Sequence, residues 1–280
     1  MTAVQMSARG LDALGAQIGP SATAFLADRP NVVERDLYDP LGSSLYDAMA
    51  VRDSREIRDI LRVVRPVPGS VLELAAGSGR LTFPLLGLGR EVTALDLSPS
   101  MLEILAKRVG EAPPSVRQRV ELVVADMSTA DLGCRFGVAV LGTTSVSLLS
   151  DLARGALFGA VRRQLTPGGR FVLTTVHLNG ALLDSGTPPA DLNLRIDAWG
   201  YAANMFEHIE PDLRHRGVTV VMDPDEADIT RVFTTRIGLI PPDELIALAD
   251  AHGFELVEVT ALEPVNERLD TTLIVVGVPT

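Results

Sequence analysis

The chain has 280 residues, 46% hydrophobic and 22% charged, which excludes wholesale disorder and leaves room for one large α/β domain or two small ones. Its net charge of −11 argues against a broad nucleic-acid footprint, and its one cysteine, Cys134, excludes an internal disulfide and thiolate metal cages. With no apolar run long enough to span a membrane and no signal-peptide pattern in residues 1–17, a cytoplasmic protein without a membrane partner is expected.

Residues 1–30 show weak periodicity and many small residues, which predicts loosely packed helix or partial disorder. Ile57, Ile60, Leu61 and Val64 then recur at helical spacing, and Pro66 and Pro68 end that helix. The run VLELAAGSGR (71–80) reads as strand, turn and helix start, and 91–109 repeats the pattern, with Ser98 before Pro99 opening the helix. Residues 120–127 and 136–145 read as buried strands, 151–165 as an amphipathic helix, and 167–177 as a turn leading into a strand. This alternation predicts right-handed βαβ units around a parallel sheet. From 178 to 240 the segments LNLRIDAW, VTVVMD and ITRVFTTRIGL predict antiparallel strands, and a helix over 241–254 and two strands close the chain. The expected organisation is a helical lid over 1–50, a ligand-binding core over 51–177, an antiparallel substrate cover over 178–240 and a closing part over 241–280.

The chemistry concentrates at the ends of the first three core strands. Glu73-Leu74-Ala75-Ala76-Gly77-Ser78-Gly79 lets the backbone turn sharply and a ligand approach closely, at the edge where open α/β sheets bind ligands. The dinucleotide spacing asks for Gly or Ala where Thr82 stands, and a phosphate loop asks for Lys where Arg80 stands. Glu73 would repel phosphate and suits a ligand carrying positive charge. Asp96 ends the second strand, where a carboxylate can accept both hydroxyls of a ribose. Asp126 and Met127 end the third, offering a carboxylate to an exocyclic amine and a thioether to a flat ring. A nucleoside-type cofactor satisfies all three positions.

This set resembles the class I S-adenosylmethionine-dependent methyltransferases over residues 52–177, with Glu73, Ala75, Gly77 and Gly79 in the places of the family's first motif. Ala75 departs from the family's first glycine. The resemblance implies a Rossmann-like seven-stranded sheet with helices on both faces, an antiparallel last strand, and S-adenosyl-L-methionine as cofactor, leaving as S-adenosyl-L-homocysteine. It further implies that Asp96 binds the ribose, Leu97 and Met101 flank the adenine, Asp126 and Met127 pair with it, and the Leu141 backbone faces the methionine part. The general layout and the run GVAVLGTTSVSLLS are similar to bacterial natural-product N-methyltransferases acting on aminosugars or on daptide-type peptide amines.

The expected acceptor is therefore an amine of a small molecule or peptide, with O- and C-methylation open, and with a non-catalytic cofactor-binding protein or a nicotinamide oxidoreductase as readings of other classes. Neither the acids of metal-dependent catechol methyltransferases nor an Asn/Asp-Pro-Pro-aromatic motif is present, so no metal and no nucleic-acid substrate are expected. Tyr38 and Tyr46 are expected on a lid helix over the cofactor. His177, at the ligand edge, or a Glu207–His208 pair reaching in from the cover is expected to orient or deprotonate the amine. Asp223, Asp225, Glu226 and Asp228 read as a solvated turn.

Overall fold

A computed structural model describes residues 4–5, 18–50, 56–198, 200–225 and 228–280. Half of the segment read as loosely packed, and Glu226 of the acidic turn, lie outside these residues. In chain order come β1 (Val4–Gln5), a helix α1 over 18–26, β2 (Val32–Arg35), α2 (Pro40–Ala50) and α3 (Ile57–Val64). Then follow β3 (Val71–Leu74), α4 (Thr82–Gly87), β4 (Val92–Asp96), α5 (Pro99–Glu111), α6 (Pro114–Arg117), β5 (Val120–Val124) and β6 (Phe136–Leu141). A short 3-10 turn (Ser145–Leu148) leads to α7 (Asp151–Gln164), β7 (Leu165–Leu178) and α8 (Gly180–Ser185). The strands β8 (Leu192–Ala198), β9 (Tyr201–Ile209), β10 (His215–Met222) and β11 (Thr230–Gly238) precede α9 (Pro242–Ala251), β12 (Glu255–Asn266) and β13 (Leu269–Gly277). No helix among the described residues is long and apolar enough to cross a membrane.

The chain divides into two compact units, Ala50–His177 with Ile240–Thr280, and Met1–Met49 with Leu178–Leu239. The first is a seven-stranded sheet in the order β12-β13-β7-β6-β3-β4-β5. Strands β3 to β7 run parallel, and β12 is antiparallel to β13. Strand β13 runs against β7, since Val278 N donates to Gly169 O at its end and Thr272 meets His177 at its beginning. Every residue of β3 and β6 is buried, as expected of parallel strands covered on both faces. Leu157, Phe158 and Val161 of α7 and Leu245 and Ala249 of α9 pack on one face. Ile60, Leu85, Leu102 and Leu105 of α3, α4 and α5 pack on the other. Because the chain leaves β3 outward through β4 and β5 and returns at β6, the topological switch point lies between β3 and β6.

The second unit is a six-stranded sheet ordered β1-β2-β11-β10-β9-β8, antiparallel except for the parallel pair β2–β11. Helix α1 packs Ile18, Ala22 and Leu26 onto Phe206, Val221 and Val232. On the opposite face Leu45, Tyr46 and Met49 of α2 pack with Ala203, Met205, Val220 and Phe233. The strand β2 was not expected from the sequence. Tyr38 also lies just outside the helix expected to carry it: Asp39 Oδ1 accepts from Leu41 N and Gly42 N at 2.9 Å each, so Asp39 caps α2 and Pro40 opens it.

Candidate active site

The carboxyl ends of β3, β4, β5 and β6 bring the core candidates to one edge. Immediately after β3, Ala75 (φ 52°) and Gly77 (φ 56°) take left-handed backbone, and Gly77 N donates to Asp96 Oδ2 at 2.7 Å. The other oxygen of Asp96 accepts from Ser98 N at 2.8 Å, so the carboxylate fixes the glycine turn to the start of α5. Burial pushes the Asp96 carboxyl up, and the amides of Ser98, Gly77 and Leu97 pull it down against that. The side chain of Met101 is buried with its Cε 3.2 Å from where a Gly77 Cβ would stand, and a Cβ at Gly79 would lie 2.4 Å from Leu105 Cδ1. Helix α5 therefore lies directly against the turn, and bare backbone is required there. Leu97 (68% exposed) and Val124 (58%) leave an apolar surface open at this edge, beside the exposed Asp126, whose Oδ1 accepts from Ser128 N and Oγ. Met127 packs partly into the core, and Leu141 is fully buried at the end of β6.

Glu73 is almost wholly enclosed and accepts from Thr82 Oγ1 at 2.6 Å. Burial raises its carboxyl to about 8; the Thr82 hydrogen bond and the Arg80 charge act against the rise, and the Asp96 charge adds to it. Near neutral pH Glu73 holds its proton, and a cationic group brought against it would draw it into ionisation.

A second constellation was not singled out in the sequence. Thr143 (φ 58°) and Thr144 (φ 54°), just past β6, both occupy the left-handed region, at roughly 1–2 kcal/mol each for β-branched residues. The buried Glu56 Oε1 accepts from Thr143 N at 2.6 Å and pairs with the Arg80 guanidinium, while Oε2 accepts from Thr174 Oγ1 at 2.7 Å. Thr174 Oγ1 in turn accepts from Thr144 N at 3.0 Å, and Arg80 donates to Thr143 Oγ1 at 2.6 Å. Arg80 directly follows the glycine turn, so this network ties the two sides of the switch point together. The sequence signals were slight: an arginine after Gly79, and Gly142-Thr143-Thr144 in place of a helix-capping turn.

His177 is half-buried near the end of β7, with Nε2 3.1 Å from Thr272 Oγ1. Tyr38, Tyr46, Glu207 and His208 belong to the other unit. The two tyrosine rings lie 6.1 Å apart, tilted against each other on the α2 face of the sheet. Glu207 and His208 do not form a pair. Successive residues of a strand point to opposite faces, so Glu207 shares a face with Met205 and His208 with Phe206. Glu207 is buried and paired with Arg216 at 2.6 Å. His208 is buried against Gly19, and its Nε2 has no hydrogen-bond partner among the described residues. The two side chains therefore lie on opposite faces of β9.

Among the described residues one cluster, Glu210, Asp212 and His215, has metal-ligand spacing. Arg236 already grips Glu210 through Nε and Nη2 at 2.7 Å each, so a guanidinium supplies the positive charge there.

A family model described as a methyltransferase domain matches residues 71–169. The glycopeptide N-methyltransferase MtfA, in its structure complexed with (S)-adenosyl-L-methionine, is 31% identical, with a TM-score of 0.63 over 94% of this chain and 98% of that one. The chain belongs to the class I S-adenosylmethionine-dependent methyltransferases. This methyltransferase also shares its fold with CcbJ from Streptomyces caelestis, at a TM-score of 0.66 and 23% identity over 84% of this chain and 96% of that one. Among curated relatives, ribosomal RNA small subunit methyltransferase A of Anaeromyxobacter sp. (strain K) is 34% identical over 108 residues, 37% of this chain. The chain spans 36% of that relative's length. As a class I methyltransferase the protein is an enzyme whose cofactor is S-adenosyl-L-methionine. The residues present suit that group: a turn of small residues with bare backbone at Gly77 and Gly79, acids at the ends of β4 and β5, an exposed apolar surface between them, and a buried acid suited to an ammonium.

Proposed function

We propose that this methyltransferase N-methylates an amine of a small-molecule or peptide natural product. The observation that carries this reading is the likeness to a glycopeptide N-methyltransferase along almost the whole chain, both units included. In this reading Asp96 accepts the ribose hydroxyls and Glu73 takes the methionine ammonium. Asp126 and Met127 receive the adenine, with Leu97 and Met101 beside it. Ala75, Gly77, Gly79 and the Leu141 backbone line the methionine part. Tyr38 and Tyr46 belong to the lid segment, and residues 178–240 to the substrate cover.

The bound cofactor supplies an electrophilic methyl group. The protein's task is then alignment, exclusion of water and management of one proton. An amine near neutral pH is mostly ammonium and must lose a proton before its lone pair can attack. His177, held by Thr272, is the group proposed to accept it. The test is release of S-adenosylhomocysteine with a panel of aminosugars, peptide amines and matched hydroxyl analogues. Turnover of amines and not of the hydroxyl analogues is expected; the reverse selectivity would replace this reading with O-methylation. With the amine that turns over, His177→Ala should lower kcat while S-adenosylhomocysteine binds as in wild type. An unchanged kcat would remove His177 from the chemistry.

A further inference from the structure

We infer that Glu56 is a positioning residue for the cofactor, preforming the β6 wall of the binding crevice by holding Thr143 and Thr144 in left-handed backbone. The inference rests on the cofactor and not on the acceptor. Left-handed backbone is glycine's territory, yet this turn places two β-branched residues there in succession. Such a conformation persists only when its surroundings over-determine it, and in folded proteins it gathers where function needs a fixed geometry. Here Glu56 provides the hold. One of its oxygens takes the Thr143 amide, and the other orders the Thr174 hydroxyl that takes the Thr144 amide. The Thr143 hydroxyl is held by Arg80, itself paired with Glu56. A Cβ on Gly142 would come within 3.1 Å of Glu56 Oε1 and 2.3 Å of Leu81 Cδ1, so the turn rests directly on this support.

The turn follows the strand on one side of the switch point, and Arg80 follows the glycine turn on the other. A ligand bound between β3 and β6 meets both. Glu56 is buried, with Oε1 taking both the Thr143 amide and Arg80 and Oε2 the Thr174 hydroxyl, so it acts by keeping the turn in place rather than as a base or a direct ligand.

The test is calorimetry with S-adenosylhomocysteine on the full chain, beside thermal melting and amide exchange. Glu56→Gln should weaken binding about tenfold or more and quicken exchange at Thr143 and Thr144, because the threonines relax from the left-handed region. Adding Thr143→Gly and Thr144→Gly to Glu56→Gln should recover much of the lost affinity, since glycine reaches that region without help. Thr174→Ser, which keeps the hydroxyl, should bind more tightly than Thr174→Val, a comparison that holds even where Glu56 variants fold poorly. A merely structural role predicts lower melting temperatures with affinity within threefold of wild type. That result overturns the inference, as does a loss of affinity that the glycine pair does not restore.

Discussion

Glu73 sets stability against binding. Its carboxyl titrates near 8 in the folded protein against an ordinary value of 4.5. Between those values the folded state holds a proton that the unfolded state has released, so stability falls as pH rises through the window and the loss is complete above about 8. The cost is on the order of a few kcal/mol, several degrees of melting temperature for a chain of this size. Glu73→Gln removes it. Its melting temperature should exceed that of wild type by roughly 5 °C near pH 8.5 and by little near pH 5, while cofactor affinity falls. A gap independent of pH would show that Glu73 ionises normally. Asp96 presents the complementary case. Both of its oxygens accept from backbone amides, so Asn, with only one acceptor oxygen, turns an NH2 group against Gly77 N or Ser98 N. Asp96→Asn should therefore loosen the glycine turn as well as the proposed ribose contact and weaken cofactor binding by roughly 30-fold or more on the scale of charge-assisted hydrogen bonds. Calorimetric affinity within threefold of wild type would sink that account.

At the level of elements, β9 shows why some of the architecture was hidden. A half-exposed strand announces itself by alternation, but β9 is covered by α1 on one face and α2 on the other, and Ala-Asn-Met-Phe-Glu-His carries no clean period of two. The ion pair it buries, Glu207 with Arg216, should respond as buried pairs do. Glu207→Ala leaves an arginine enclosed without its carboxylate and should cost about 3–5 kcal/mol, whereas replacing the two together by Leu and Met should cost far less. Comparable losses from the single and the paired substitutions would show that Arg216 finds another partner. Other elements were open to reading. VLEL and FGVAVL are buried parallel strands, and their mainly apolar character between helical periodicities makes the glycine turn, Asp96 and Asp126 legible in the sequence as one sheet edge. Glu56 lay beyond such reading because its partners Arg80, Thr143 and Thr174 stand 24, 87 and 118 residues away, and only the sheet order brings them together. The strand β2, four residues long, was too short to show a period.

For the molecule as a whole, the question its relatives raise is the kind of acceptor. Some curated relatives are named for ribosomal RNA, and they match between 27% and 65% of the chain. Binding RNA tightly requires cations that displace the counterions condensed on phosphates. This chain carries 36 acidic residues against 25 basic ones, a net charge of −11, and several of its arginines are already committed to carboxylates, among them Arg80, Arg195, Arg216 and Arg236. Repulsion then opposes a polyanion once it comes within a screening length, about 8 Å at physiological salt. The expected outcome is no retarded band with ribosomal RNA at roughly 10 µM protein and about 0.15 M salt, and no RNA-stimulated release of S-adenosylhomocysteine. A small amine carries no such penalty and, while still protonated, is drawn toward an acidic protein. Lowering the salt should therefore raise kcat/KM for a cationic amine and leave a neutral acceptor unaffected. A salt-sensitive RNA complex, or RNA-dependent product release, would move the acceptor from a small molecule to a nucleic acid.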